Sequence, residues 1–173
     1  MALKLGLNLG YWGIGPQGDE ATEIVQAVER FGYDSVWAAE SYGSDAVSVL
    51  AYLAAKTETI QLGAAILQVP ARPPAAAAMA GVTIDALSNG RFIFGFGPSG
   101  PQVSEGWYGI DYAQPWGRTR EYIEVVRKII AREGPLNHQG IVVDFADIKD
   151  VVQREVIARY DHTYLNDLSL IHI

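Results

Sequence analysis

Residues 60–101 read IQLGAAILQVPARPPAAAAMAGVTIDALSNGRFIFGFGPSGP. The apolar run Ile60 to Leu67 has the length of a buried strand, and QVPARPP is a proline-broken loop. Pro74 suits the first turn of a helix through Ala75 to Leu87, which Asn89-Gly90 stops. Arg91 to Phe96 is then a second apolar strand, and GFGPSGP is a glycine-rich loop after it. A strand, a crossover helix and a second strand within about 40 residues form the unit of a parallel sheet.

The same alternation extends in both directions. Lys4 to Leu9 reads as a strand ended by Gly10, followed by the turn-rich GYWGIGPQGD and a helix with Ile24, Val25, Val28 and Phe31 on one face, stopped by Gly32. Ser35 to Ala39 is the next strand; Ser44 or Asp45 can cap the helix after it, which runs through Val49, Leu50, Leu53 and Ala54. Beyond the glycine loop, a helix from about Arg118 to Arg132 carries Tyr122, Ile123, Val126, Ile129 and Ile130 on one stripe. Two α/β architectures fit. A doubly wound sheet places G-x-G-x-x-G after its first strand, whereas GYWGIGPQG gives G-x-x-G-x-G. A barrel gathers its informative residues at the C-terminal ends of the strands. Those ends hold Tyr11 and Trp12, Glu40 and Tyr42, Gln68 and Arg72, and Pro98 and Ser99, so the fold class expected is α/β, a partial (β/α)8 barrel of four β/α units.

The chain has 173 residues, 49% hydrophobic and 19% charged, with 18 Gly, 8 Pro and no Cys. This composition excludes collagen, coiled coil and bulk disorder. A domain of this length buries roughly 70% of its unfolded surface, enough for a core without disulfides, yet a complete (β/α)8 barrel takes about 250 residues. Thirteen Lys and Arg against twenty Asp and Glu leave a net charge of −7, with no basic run interleaved with aromatics, so nucleic acid is not an expected partner. No apolar stretch reaches about 18 residues and MALKLGLNLG lacks a signal-peptide pattern, so no membrane partner is expected and the expected location is cytoplasmic. Zero Cys removes thiol nucleophiles and thiolate metal sites. His138, His162 and His172 all lie in the last 36 residues, so imidazole chemistry is not expected of the rest, and no metal site is predicted.

Four blocks, KLGLNLGYWG (4–13), YDSVWAAESYGSDAVSVLAYLAAKTETIQLGAAILQVPARPPA (33–75), LSNGRFIFGFGPSGPQVSEGWYG (87–109) and RTREYIEVVRKII (118–130), resemble in that order the N-terminal half of luciferase-like flavin or deazaflavin oxidoreductases. The resemblance covers about residues 2–140. It implies a (β/α)8 barrel, FMN or coenzyme F-420 at the C-terminal mouth, and hydride or oxygen chemistry on a small organic substrate. It places Ala64 and Ala65 where the family often has a non-proline cis peptide supporting the isoalloxazine ring. Gly97, Pro98, Ser99 and Gly100 match a loop lining the coenzyme pocket, and Tyr11, at the first strand's end, joins this candidate coenzyme-binding set. Glu40 stands where the family often places an acidic or His residue facing substrate or coenzyme. Glu105 stands where some deazaflavin enzymes carry an acidic proton donor. These two are the candidate catalytic residues. Plainer readings stay open: an ordinary trans strand at Ala64-Ala65, a solvated or Arg-paired Glu40, and a surface Glu105. The tryptophans at 12, 37, 107 and 116 are either core and rim filler or a flavin-stacking set, Trp12 being the one at a strand end.

From Gly140 the pattern changes. GIVVDFADIKDVVQREVIARYDHTYLND (140–167) resembles 6-pyruvoyl- and 6-carboxy-tetrahydropterin synthases, through G-x-V-x-D-F-x-D-x-K followed by D-H-x-x-L-N. In that family an Asp-His pair transfers protons beside a catalytic Cys and a zinc ion held by three His, and the resemblance maps the pair to Asp161 and His162. The Cys is missing, and His138 and His172 cannot complete the zinc set. The ending LSLIHI fits neither pattern. The expected division is therefore 1–140, half a luciferase-like barrel; 141–167, a C-terminal strand-helix fragment (Ile141 to Phe145, Ala146 to Tyr160); and 168–173, an unrelated tail. The expected function is a luciferase-like oxidoreductase, truncated and inactive as it stands. A tetrahydropterin-synthase-like lyase fragment and an inert chimera are the alternatives. Open sheet edges predict self-association.

Overall fold

The computed structural model describes residues 3–12, 18–136 and 138–140. The strand and helix expected at 141–160, the Asp161-His162 pair and the 168–173 tail lie outside the described residues. Along the chain come β1 (Gly6–Gly10), α1 (Gly18–Arg30), β2 (Ser35–Ala38), α2 (Ala46–Ala54), β3 (Gln61–Ala64), β4 (Leu67–Gln68), α3 (Pro74–Leu87), β5 (Phe92–Ile93), β6 (Phe96–Gly97), the short α4 (Pro101–Ser104) and α5 (Pro115–Ala131). A sheet ordered β1-β2-β3-β5 is parallel throughout. The order follows the sequence without reversal, so these strands contain no doubly wound switch point. Among the described residues no helix is long and apolar enough to cross a membrane.

The expected strand Ile60 to Leu67 is two strands. After Ala65 N–H bonds to Ala38 O at 2.8 Å, the Ala65–Ile66 peptide is cis. The chain then resumes as β4, paired among the described residues with β6 alone through Leu67↔Phe96 and Gln68↔Gly97. Arg91 to Phe96 divides in the same way into β5 and β6. The third and fourth strands therefore extend past the end of β2 as a separate two-stranded ladder, which projects their last residues beyond the main sheet.

Helix ends follow local chemistry. Asp45, not Ser44, caps α2, accepting from Ser48 N–H at 2.9 Å. Ser44 Oγ instead accepts from Trp12 N–H at 2.9 Å, pinning the chain after β1 to the start of α2. Gly32 leaves α1 at φ +78°, and Asn89 and Gly90 leave α3 at +57° and +82°. Phe31 still donates its N–H to Ala27 O at 3.0 Å, but the buried face of α1 lies away from it and the ring is 80% exposed, contrary to its expected place on the inner face. Ala21, Thr22 and Val25 bury that face.

Helices α2 and α3 press Leu50, Leu53 and Ile84 onto Val36, Leu62 and Leu67, all fully buried. The period of two in Arg91 to Phe96 sends Phe92, Phe94 and Phe96 to one side. Their rings pack at 4.8 and 5.1 Å centroid separations, and Phe96 meets Tyr122 of α5 at 5.4 Å. Phe94 fits because α3 has no side chain at Gly81, where a Cβ would lie 1.7 Å from Phe94 Cζ. Gly81→Ala is expected to cost about 1–3 kcal/mol by overpacking a rigid buried ring, read as a lower urea midpoint with unchanged slope.

Glu29 at the end of α1 ties that helix to the chain entering β3. Its Oε1 accepts from the N–H groups of Glu58, Thr59 and Ile60 at 2.9, 2.6 and 2.9 Å. Partial burial works to raise its pKa, but these amides and the Thr59 hydroxyl outweigh it and hold the carboxyl below its ordinary 4.5. A depressed folded pKa gives stability that is full above the unfolded value and lost as pH falls through the folded one. Glu29→Gln is expected to cost about 0.5–1 kcal/mol at pH 6 in this solvent-screened setting. The deficit relative to the parent should shrink as urea melts are taken from pH 6 to pH 3.

Candidate active site

Parallel strands all end on the same side, and there their last residues enclose a cleft of about 860 Å³, within the range of small-molecule and cofactor sites. One wall comes from the strand ends: Tyr11, Ala39 and Glu40, then Ala65, Ile66 and Gln68, then Phe96, Gly97, Pro98 and Ser99. The other wall is α5, through Trp116, Thr119, Arg120, Ile123, Glu124 and Arg127.

The strand wall is short of side-chain bulk at its centre. A Cβ at Gly97 would lie 2.6 Å from Ile66 Cδ1, so the absence of a side chain there lets Ile66 lie flat against β6. Beyond it Ser99 takes a left-handed backbone at φ +63°, and its carbonyl accepts from Tyr112 Oη–H at 2.8 Å. The loop's shape is thus held by Tyr112, which lines the cleft beside it.

Glu40 is 5% exposed. A buried carboxylate needs donors, and three converge on it. Gln68 N–H donates to Oε2 at 2.9 Å, Arg72 Nη1 donates to Oε2 at 3.1 Å, and Arg72 Nη2 pairs with Oε1. Arg72 Nη2 also reaches Asp45 Oδ1 at 3.0 Å. Burial works to raise the Asp45 carboxyl, but the Ser48 hydroxyl and amide, with the Arg72 charge, hold it below the ordinary aspartate range. Burial likewise works to lower Arg72, and the hydrogen bonds and charge of Glu40 carry it above the ordinary value. The Tyr122 hydroxyl donates to Arg72 O at 2.9 Å, and burial pushes that phenol well up.

The structure brings most of the predicted set together. Tyr11, Ala65, Gly97, Pro98, Ser99 and Glu40 line the cleft. Ala64 is fully buried and Gly100 precedes α4, and neither lines the cleft. Glu105 follows α4, exposed, accepting from Tyr112 N–H at 3.1 Å. Trp12 packs edge-on against Tyr52 at 6.0 Å, while Trp116 is the tryptophan on the cleft. The α5 wall was not foreseen; its signal is the spacing of Trp116, Arg120, Glu124 and Arg127, one helical face that the apolar stripe makes look like solvent surface. His138 pairs with Glu121 at 2.8 Å, and among the described residues no group of three or more His, Cys, Asp and Glu could hold a metal ion.

Two buried side-chain atoms of the described residues lack a hydrogen-bond partner. One is Arg118 Nε, of a residue that lines a neighbouring cavity of about 550 Å³. Gln68 Oε1 belongs to a residue on the strand wall of the main cleft. Its amide nitrogen donates to Glu40 O at 2.8 Å.

Comparison with known proteins locates this geometry. The family model described as luciferase-like monooxygenase matches residues 8–157, running past Gly140. A Mycobacterium tuberculosis protein provisionally named a coenzyme F-420-dependent oxidoreductase is 51% identical over 138 residues, covering 80% of this chain and 40% of that protein. The 5,10-methylenetetrahydromethanopterin reductase of Archaeoglobus fulgidus is 36% identical over 111 residues, covering 64% and 33%. Among solved structures, the coenzyme F-420-dependent tetrahydromethanopterin reductase of Methanopyrus kandleri superposes with a TM-score of 0.71 at 24% identity, covering 84% of this chain and 45% of that one. The FMN complex of the oxygenating component of 3,6-diketocamphane monooxygenase from Pseudomonas putida gives 0.72 at 22%, covering 89% and 46%. The chain spans less than half the length of each of these proteins.

Removing Arg72 while leaving Glu40 strands a buried carboxylate, so Arg72→Met is expected to cost about 3 kcal/mol. The double variant Glu40→Leu with Arg72→Met should cost less than the sum of the two singles, with a coupling of about 2 kcal/mol in a urea double-mutant cycle.

Proposed function

The chain belongs to the luciferase-like monooxygenase family, and on that premise we propose that it carries the ring-binding part of a deazaflavin- or flavin-dependent oxidoreductase acting on a small organic molecule. The observation that carries the reading is the cleft itself: it lies at the C-terminal strand ends, has the volume of a cofactor site, and is walled at its centre by Ala65, Ile66 and Gly97. The residues present fit a flat heterocycle. A wall short of side-chain bulk receives a ring face. When bound, the coenzyme would supply hydride transfer, which no cleft side chain supplies alone.

The chain's own residues hold and orient. Arg72 and Gln68 fix the Glu40 carboxylate at the mouth, and of the two predicted carboxylates it is the one on the cleft wall. We assign Glu40 the acidic role facing the bound molecules. Coenzyme F-420 is the favoured coenzyme, because the most similar relative described above bears its name at 51% identity. FMN is the second reading, since Ala65, Ile66 and Gly97 would meet only the flat ring system that the two coenzymes share. In this proposal the sequential parallel sheet is the first four units of a (β/α)8 barrel, and turnover requires the strands that complete it. The pterin-synthase-like motifs at 140–167 remain a separate proposal, a second ancestry joined near Gly140. Independent nucleotide reads across codons 138 to 142 test it.

Titration of the chain with F-420 and with FMN, followed by coenzyme absorbance and by quenching of Trp116, tests the coenzyme reading. Saturable binding is expected, tighter for F-420, and Gly97→Leu should weaken it at least tenfold by driving Ile66 off β6 into the cleft. No saturable change with either coenzyme at millimolar concentration would remove the proposal.

A further inference from the structure

We infer that the second cavity, beside the cleft, binds a small apolar molecule bearing one carboxylate, and that Arg118 holds the charge. The site goes beyond the coenzyme reading and does not rest on it.

This cavity of about 550 Å³ lies between the loop from β4 to α3 and the segment that joins α4 to α5, and its size is within the range of small-molecule sites. Pro98 and Tyr112 line both it and the cleft, so the two spaces share a wall. The lining is apolar and stiff. Pro70, Pro73, Pro74, Pro98 and Pro115 contribute to it with Ile110, and a proline has a fixed φ and no N–H to satisfy. Such walls suit an aromatic or branched apolar body.

The polar side chains on these walls are spent, with one exception. The Tyr122, Tyr112 and Ser104 hydroxyls donate to Arg72 O, Ser99 O and Ile110 O at 2.9, 2.8 and 2.6 Å. The Arg72 guanidinium is taken by Glu40 and Asp45. Arg118 differs. Its Nη1 donates to Asp111 O at 2.8 Å, but among the described residues it forms no ion pair. Its Nε is sealed off without a partner, whereas Nη2 also has no partner and is not sealed. A half-buried guanidinium with a single backbone acceptor is short of acceptors. Nη2 is the nitrogen that an occupant of the cavity can reach, and Nε is asked for nothing.

Charge narrows the ligand further. A guanidinium pairs with a carboxylate or a phosphate. Asp111, exposed, lines the same cavity, its Oδ1 accepting from Ala113 N–H at 3.2 Å. Its carboxylate repels a second negative charge, so one carboxylate is favoured over a phosphate dianion.

4-Fluorophenylacetate and the uncharged 4-fluorophenylacetamide have the same ring and nearly the same shape. Each is titrated to millimolar concentration into the full chain, Arg118→Met and Ala71→Leu, with fluorine NMR as readout and thermal melting as the check on folding. The parent should bind the acid about tenfold or more tightly than the amide, as for a charge-assisted hydrogen bond, and Arg118→Met should bind the two within about twofold. Ala71 lines the cavity and not the cleft, so Ala71→Leu should weaken both at least threefold and keep the preference. Equal binding of acid and amide by the parent overturns the inference, as does the absence of saturable binding. A preference that survives in Arg118→Met removes the assigned residue, and unaltered affinity in Ala71→Leu puts the ligand elsewhere. If either variant does not fold, nuclear Overhauser contacts from the bound ring decide: contacts to Ile110 and Pro115 are expected, and their absence overturns the site. Binding of FMN or F-420, or its failure, bears on the cleft alone.

Discussion

A carboxylate taken out of water must be met by donors or it will not stay ionised there, and in this fold that requirement is placed on Glu40. Its donors come from β4 and from the loop leading to α3, so satisfying one charge aligns the end of β2 with the far end of the third strand. Arg72 passes the constraint on: its guanidinium holds Asp45 at the cap of α2, and its carbonyl holds the Tyr122 hydroxyl of α5. Four elements thereby share one polar junction at the mouth of the sheet. The cleft walls stand on those same elements.

The opposite end of the sheet uses a second arginine differently. Arg91 donates to Thr57 Oγ1 and Ile60 O, both at 2.8 Å, to Ala54 O and Thr57 O at 3.2 and 3.0 Å, and to Ser88 O at 2.7 Å. Nearly all these acceptors are backbone carbonyls left over where α2 and α3 end. Burial lowers the pKa of Arg91 from its ordinary value, opposed by the charge of Glu29, yet a guanidinium remains charged at any physiological pH. At this end polar capacity closes loops. At the mouth, by contrast, the junction leaves one amide oxygen unspent.

What could be read from the sequence was whatever is local. Strand and helix alternation, the exit at Asn89-Gly90 and the proline start of α3 are written in adjacent residues, and all are present. The cap of α2 narrowed to Asp45 because Ser44 faces Trp12, a contact across 32 residues. The break after Ala65 was invisible to hydropathy, since Ile60 to Leu67 is apolar throughout and nothing in that pattern marks where β2 stops offering partners. The Arg-paired reading of Glu40 was one of several until Arg72 was seen beside it, again 32 residues away. The α5 wall was missed for a related reason. A charged helical face looks the same whether it borders solvent or a cleft.

The order of the strands also bears on how the chain acquires its shape during synthesis. Each strand of the main sheet pairs with the strand before it in sequence, through contacts such as Gly6↔Ser35, Ser35↔Gln61 and Leu62↔Phe92. Every new ladder therefore closes a loop of roughly 30 residues, and none waits for a distant segment. The fold can accrete from its N-terminus as each β/α unit leaves the ribosome, with apolar faces covered by segments made moments earlier. The Glu40 junction forms only once Arg72 has emerged, so the walls of the cleft are set after the strands that carry them have begun to pair.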